Sequence, residues 1–213
     1  MTSGANSGTK LGVLPGVGSG GNLLPVDILL ASASPRRSEL LSGIGLVFQT
    51  VPADIDETPL PDEHPRALVA RLSLSKAEAA ARRRPDALVV AADTVVVVDG
   101  QIMNKPADEA ENRGFLTRLS GRRHTVLTGH TLCLGGRRAT VVTGTEVWFR
   151  ELEEGEVSRY AASREGLDKA GGYAIQGRGA ALVSRIEGCY ANVVGLSVPT
   201  VVEAARRLGV SLV

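Results

Sequence analysis

The chain has 213 residues, of which 43% are hydrophobic but only 3% aromatic, and its formal net charge is +1. This length suggests one large domain, or two lobes around a shared sheet, with a core of Val, Leu, Ile and Ala. The near-neutral charge and scarce aromatics count against a nucleic-acid binder, so any anion site must come from local clustering.

The two cysteines, Cys133 and Cys189, lie far apart, which argues against a disulfide scaffold or a zinc site. His64, His124 and His130 show no metal-ligand spacing. No apolar run is long enough to span a membrane, and the N-terminus has no charged and apolar regions of a secretory signal. A cytoplasmic protein with no membrane partner is the expectation.

Residues 1–24 are Gly- and Ser-rich and are expected to be disordered, with the folded domain over 25–213. Gly16, Gly18 and Gly21 fit G-x-G-x-x-G, but no convincing strand precedes them and Pro25 follows, so the dinucleotide reading fails. Ile28–Ala31 reads as a buried strand, followed by small residues Ser32 to Ser34. Ser34 is placed as a helix N-cap with Pro35 at the first helical position. Arg36 and Arg37 then fall in the first turn, the wrong sign for a helix start. They make sense around a bound anion; the plainer alternative is two solvated arginines.

Val47–Val51 reads as a second strand, and Ala53–Pro65 as a loop rich in Pro and acid. Asp54, Asp56 and Glu57 offer carboxylates to a metal, or are a solvated acidic loop. Arg66–Arg83 reads as a helix from Leu68, Val69, Leu72 and Ala79, and its Lys76, on pattern alone, faces solvent.

Ala87–Gly100 is a β-branched run that reads as a central strand, interrupted by Asp93 and Thr94. A carboxylate inside such a run is costly to bury unless it is paired, which marks Asp93 for function; a bulge is the alternative. Asp99-Gly100 signals a hairpin whose return brings Lys105 near the level of Asp93, as an ion pair or a phosphate ligand. A helix over Ala107–Leu119, a hairpin of His124–Leu134 with Ala139–Arg150, and a short helix over Glu153–Ser163 follow. The glycine-rich stretch Gly166–Leu182 carries Lys169, Tyr173 and Gln176. Its glycines suit a close backbone approach, and the Gln176 amide suits reading a base edge, unless it is merely solvated. A strand over Ala181–Ile186, a loop over Gly188–Gly195 and a helix over Pro199–Leu208 close the chain.

Eight motifs in order carry a resemblance: SASPRR from Ser32, DET from Asp56, RLSLSKA from Arg71, AADTVV from Ala91, NKP from Asn104, SGRRHTVLTG from Ser120, LDKAGGYAIQG from Leu167 and NVVGL from Asn192. Together they resemble the Maf family of nucleoside triphosphate pyrophosphatases, from Ile28 to about Leu208. The resemblance implies an α/β, two-lobed Maf/ITPase-like fold: a long mixed β-sheet flanked by helices with a central cleft, often as a homodimer. It implies hydrolysis of a nucleoside triphosphate to the monophosphate and pyrophosphate with a divalent metal cation, Mg²⁺ or Mn²⁺. By resemblance, Asp93 accepts a proton from the attacking water, and Glu57 helps with metal or water. Ser32, Arg37, Lys76 and Lys105 hold the phosphates. Arg36, Thr94 and Gln176 match the specificity positions of the branch acting on dTTP and UTP, modified pyrimidine nucleotides included. Two departures stand out: Ser197 follows Gly195-Leu196 where the family has proline, and Cys189 replaces a common small hydroxyl residue. A non-catalytic nucleotide-binding regulator of cell division is the alternative.

Overall fold

The computed structural model describes residues 14–15 and 25–213. Of the segment expected to be disordered, only Leu14–Pro15 (β1) is described, paired antiparallel with Pro25–Val26 (β2); the glycines of the rejected fingerprint lie outside the described residues.

The main sheet has seven strands. Its first half is β3 (Ile28–Leu30), α1 (Pro35–Ser42), β4 (Gln49–Thr50), α2 (Pro65–Ala81) and β5 (Leu88–Val98). These strands are parallel, in the order β4-β3-β5. The chain then turns through β6 (Gln101–Met103), α3 (Glu109–Leu119), β7 (Arg123–Leu134), β8 (Arg137–Phe149), α4 (Glu154–Ala162), β9 (Val183–Glu187), α5 (Tyr190–Val194) and α6 (Val198–Arg207). From β5 onward the pairing is antiparallel, continuing β5-β7-β8-β9. The sheet is therefore mixed, as expected.

Two cores share one face of the long strands. Leu30, Leu41, Leu88, Val90, Leu132, Val201 and Leu208 fill one with α1 and α6. Val96, Val98, Leu116, Leu119, Val147, Phe149 and Tyr160 fill the other with α3 and α4. On the opposite face α2 packs alone, through Ala77 and Ala80 against Leu29, Val89 and Ala91, and through Leu68, Val69 and Leu72 against Val95 and Leu127. This odd–even split of β5 is the period-two geometry of a strand buried on both faces.

One feature of the pairing places a cleft. β3 pairs with β5 up to Val90, and β6 takes the same edge only from Val96. Residues 91–95 have β7 on one side and, among the described residues, no strand on the other. The opening lies beyond the carboxyl end of β3, at the switch point where the chain passes from β3 to β4 on one side and then to β5 on the other, the usual position for a ligand crevice in such sheets.

Local differences from the sequence reading have physical causes. The second strand shrinks to Gln49–Thr50, since Pro52 has no N–H to extend it. Asp93 sits in unbroken register opposite Gly129, so no bulge interrupts β5. The segment read as a loop over Gly188–Gly195 contains α5, held because the buried Asn192 amide donates to the Val126 carbonyl (3.0 Å) and Thr145 Oγ1 (3.1 Å). No helix of the described residues is long and apolar enough to cross a membrane.

Candidate active site

A cleft of about 650 Å³ opens at this break in the sheet. All nine residues to which the resemblance assigns a role line it: Ser32, Arg36, Arg37, Glu57, Lys76, Asp93, Thr94, Lys105 and Gln176; Asp54 and Asp56 do not. Five cations and three carboxylates face it, since Lys169 and Asp168 join them.

Asp93 and Thr94 are consecutive, so they project to opposite faces of β5. On the α2 face, Asp93 Oδ1 meets Lys76 Nζ at 2.6 Å, and Glu57 Oε1 meets the same ammonium at 2.8 Å. Lys76 is 8% exposed and Asp93 7%, so this is a buried pair, where an unpaired charge would be costly. Lys76 does not face solvent as helical pattern suggests. Its turn of α2 presents Ser73, Ala77 and Ala80, small residues that bring the helix close to the sheet. Asp93 Oδ2 has no protein partner among the described residues.

Glu57 reaches Lys76 because its loop is tied back to α2. Arg71 clasps Glu63 with two bonds of 2.7 Å and donates to the Thr58 carbonyl at 3.1 Å. Asp56 instead turns inward on its own loop, accepting from the Thr58 N–H at 2.9 Å. Among the described residues no group of three or more His, Cys, Asp or Glu side chains is gathered as a metal site.

On the other face, Arg37 donates to Ser32 Oγ (3.1 Å), Thr94 Oγ1 (3.1 Å) and the Gly195 carbonyl (2.8 Å). Burial lowers its pKa, an effect partly offset by the charge of Asp93. Thr94 is thus held by Arg37 and by Thr128 (3.1 Å). Ser34 is the N-cap residue, yet its hydroxyl caps no helical N–H, and no acidic residue occupies the first turn of α1. That leaves the helix start available to an anion.

Arg36 turns toward the third wall, meeting Asp168 Oδ2 at 3.4 Å. Lys105 is exposed and, among the described residues, forms no ion pair; Lys76, not Lys105, neutralises Asp93. Gln176 is exposed in the cleft, and its amide has no protein hydrogen bond among the described residues. Arg71, Asp168 and Asn192 were not singled out, because no local pattern marks them.

Residues 27–208 match the family model described as Maf-like protein. The chain belongs to the Maf family. This Maf-like chain is 49% identical over 189 residues to the dTTP/UTP pyrophosphatase of Syntrophus aciditrophicus (strain SB), covering 88% of this chain and 92% of that relative. It is 49% identical over 185 residues to the dTTP/UTP pyrophosphatase of Myxococcus xanthus (strain DK1622), covering 87% and 94%. A looser likeness, with TM-score 0.43 and 17% identity over 58% of this chain and 73% of the other, is to a HAM1 protein from Coxiella burnetii.

Proposed function

We propose that this Maf-like chain is a nucleoside triphosphate pyrophosphatase that hydrolyses dTTP and UTP, and modified pyrimidine nucleotides of the same shape, to the monophosphate and pyrophosphate. The relatives named above carry that activity in their names. The observation that carries the reading is Asp93, held by Lys76 through one oxygen only, inside a cleft otherwise dominated by cations.

Water adds to one phosphorus of the anhydride between the α- and β-phosphates as the bridging P–O bond breaks. The water oxygen enters one product, and the bridging oxygen leaves on the other with the electron pair. Asp93 Oδ2 accepts the proton that the water gives up. Lys76 fixes the carboxylate by its other oxygen, so the acceptor is oriented before substrate arrives. Ser32, Arg37, Lys105 and the start of α1 hold the phosphate oxygens as negative charge shifts during bond breaking. Gln176 offers a donor and an acceptor to the base edge, with Arg36 beside it.

Glu57 and Asp93 fit a divalent cation such as Mg²⁺ or Mn²⁺. Both carboxylates already reach one ammonium, and such an ion needs only one or two protein carboxylates when substrate phosphates supply further oxygens. When bound, it supplies charge neutralisation on the phosphates. The reading also includes a cytoplasmic homodimer.

Asp93→Asn tests it. The amide retains shape but cannot take the proton, so turnover of dTTP should fall by about 10³, within the range of general-base catalysis. Nucleotide affinity, measured by calorimetry without divalent metal, should stay within about threefold, since Ser32, Arg37 and Lys105 are untouched. Full activity in this variant would remove Asp93 from the chemistry. An inactive wild type that still binds nucleotide would favour the non-catalytic regulator.

A further inference from the structure

Gln176 stands at the tip of a short loop whose two stems are gripped by two residues outside the cleft, Tyr160 and Glu165. Tyr160 lies near the end of α4 and is 5% exposed. Its hydroxyl accepts from the Ala174 N–H at 2.9 Å and donates to Glu165 Oε2 at 2.8 Å. Glu165 then accepts from the other stem, the Arg178 N–H at Oε1 (3.0 Å) and the Gly179 N–H at Oε2 (3.1 Å). Within the loop, the Gly177 N–H closes onto the Ala174 carbonyl at 3.2 Å. A Cβ on Gly177 would lie 2.1 Å from Glu165 Oε1, so the carboxylate occupies the space that any side chain there would need. Burial alone would raise the Glu165 pKa, but these hydrogen bonds outweigh it, and the carboxyl is held below its ordinary value.

We propose that Tyr160 and Glu165 are positioning residues for base selection, forming a clasp that fixes the 174–179 loop so that the Gln176 amide meets the base at a set position. The proposal rests on reading the cleft as a pyrimidine nucleotide site. A hydrogen-bonding reader discriminates only if it cannot relax to suit the wrong partner. A free loop would have to be ordered at each binding event, at a cost in conformational entropy that falls on the base contact and not on the phosphates. The phosphate-holding residues Ser32, Arg37 and Lys105, and Lys76 beside Asp93, sit on other elements and make no hydrogen bond to the clasp. Weakening the clasp therefore acts on base choice.

The test uses Tyr160→Phe, which keeps the buried ring, and Glu165→Gln, which keeps the side-chain shape. In each, the ratio of kcat/KM for UTP to that for GTP should fall about tenfold, the value of one lost hydrogen bond, and the change should appear in KM for UTP. Placed in a Gln176→Ala background, either change should alter the ratio no further, which a merely structural role would not produce. Amide exchange at Ala174, Arg178 and Gly179 should speed up in both variants, a readout that needs no activity. Equal losses on UTP and GTP, an unchanged ratio, or additive effects with Gln176→Ala would overturn the proposal. So would unchanged exchange at those amides. A wild type that hydrolyses no triphosphate would instead overturn the reading of the cleft, and with it the selective role, while the exchange result still decides whether the clasp exists.

Discussion

Arg37 donates to Ser32, Thr94 and Gly195, whereas its chain neighbour Arg36 faces Asp168 on the wall that carries Gln176. The two arginines are therefore predicted to fail differently. Arg36→Ala should shift the preference between UTP and GTP by about tenfold, whereas Arg37→Ala should lower the rate on every triphosphate by about 10². Steady-state kinetics on both substrates decides it, and equal losses from both changes would contradict the division. A second prediction concerns two buried histidines. Burial pushes both His124 and His130 down to about 4. His130 Nε2 accepts from the Ser197 N–H at 2.8 Å, which only the unprotonated nitrogen can do. Their folded values lie below the ordinary value, so the unfolded chain binds more protons between about pH 6.5 and 4, and stability falls as pH drops through that window. The loss is on the order of 3 kcal/mol per histidine. Urea midpoints should show it, and His124→Phe, which keeps the edge-on packing against Phe149 and Tyr173, should remove about half. A midpoint that does not change from pH 7 to 4.5 would contradict the assignment. At this scale the position of Asp93 was legible because a carboxylate conflicts with the apolar run around it, whereas Gln176 on pattern alone stayed open between a base reader and a solvated side chain. Glu165 and Tyr160 were not, because nothing local distinguishes a glutamate after a helix from a solvated one.

α2 lies close against the sheet at Gly129, directly across the ladder from Asp93. A Cβ on Gly129 would stand 2.1 Å from the Val69 carbonyl oxygen and 2.9 Å from Ser73 Oγ. The missing side chain is what lets α2 lie near enough for Lys76, farther along the same helix, to reach Asp93. Gly129→Ala should push the helix off, lowering stability by about 2 kcal/mol through overpacking and separating Lys76 from Asp93. Activity should fall even at temperatures where the variant is fully folded. A variant with wild-type urea midpoint and wild-type turnover would show that the close approach is not needed. Most helices and strands were legible from apolar periodicity and from punctuation such as Asp99-Gly100. α5 was not, because its five residues are set by the contacts of buried Asn192 with β7 and β8 rather than by their own pattern. Lys76 was read as solvent-facing from its type, although it continues the row of Leu68, Leu72 and Ala80 on the buried face of α2.

Across the whole molecule, one long sheet serves two cores, and the cleft lies where β3 ends and β6 has not begun. The mixed α/β class could be read from the eight motifs and the family they resemble. That β3 and β6 occupy the same edge of β5 could not, since strand pairing over such distances leaves no local mark. This arrangement sets Ser32, Arg37 and Lys76 from the first half of the chain against the Gln176 loop of the second. The cleft is proposed to release pyrophosphate from pyrimidine triphosphates. The most direct measurement is the initial rate of pyrophosphate release by the purified full chain with Mg²⁺ across dTTP, UTP, CTP, ATP and GTP, with the nucleotide product identified. The prediction is one monophosphate and one pyrophosphate per turnover, with dTTP and UTP preferred over the purine nucleotides by at least about tenfold. Release of orthophosphate and a diphosphate instead, no turnover of any triphosphate, or equal rates on all five would contradict it.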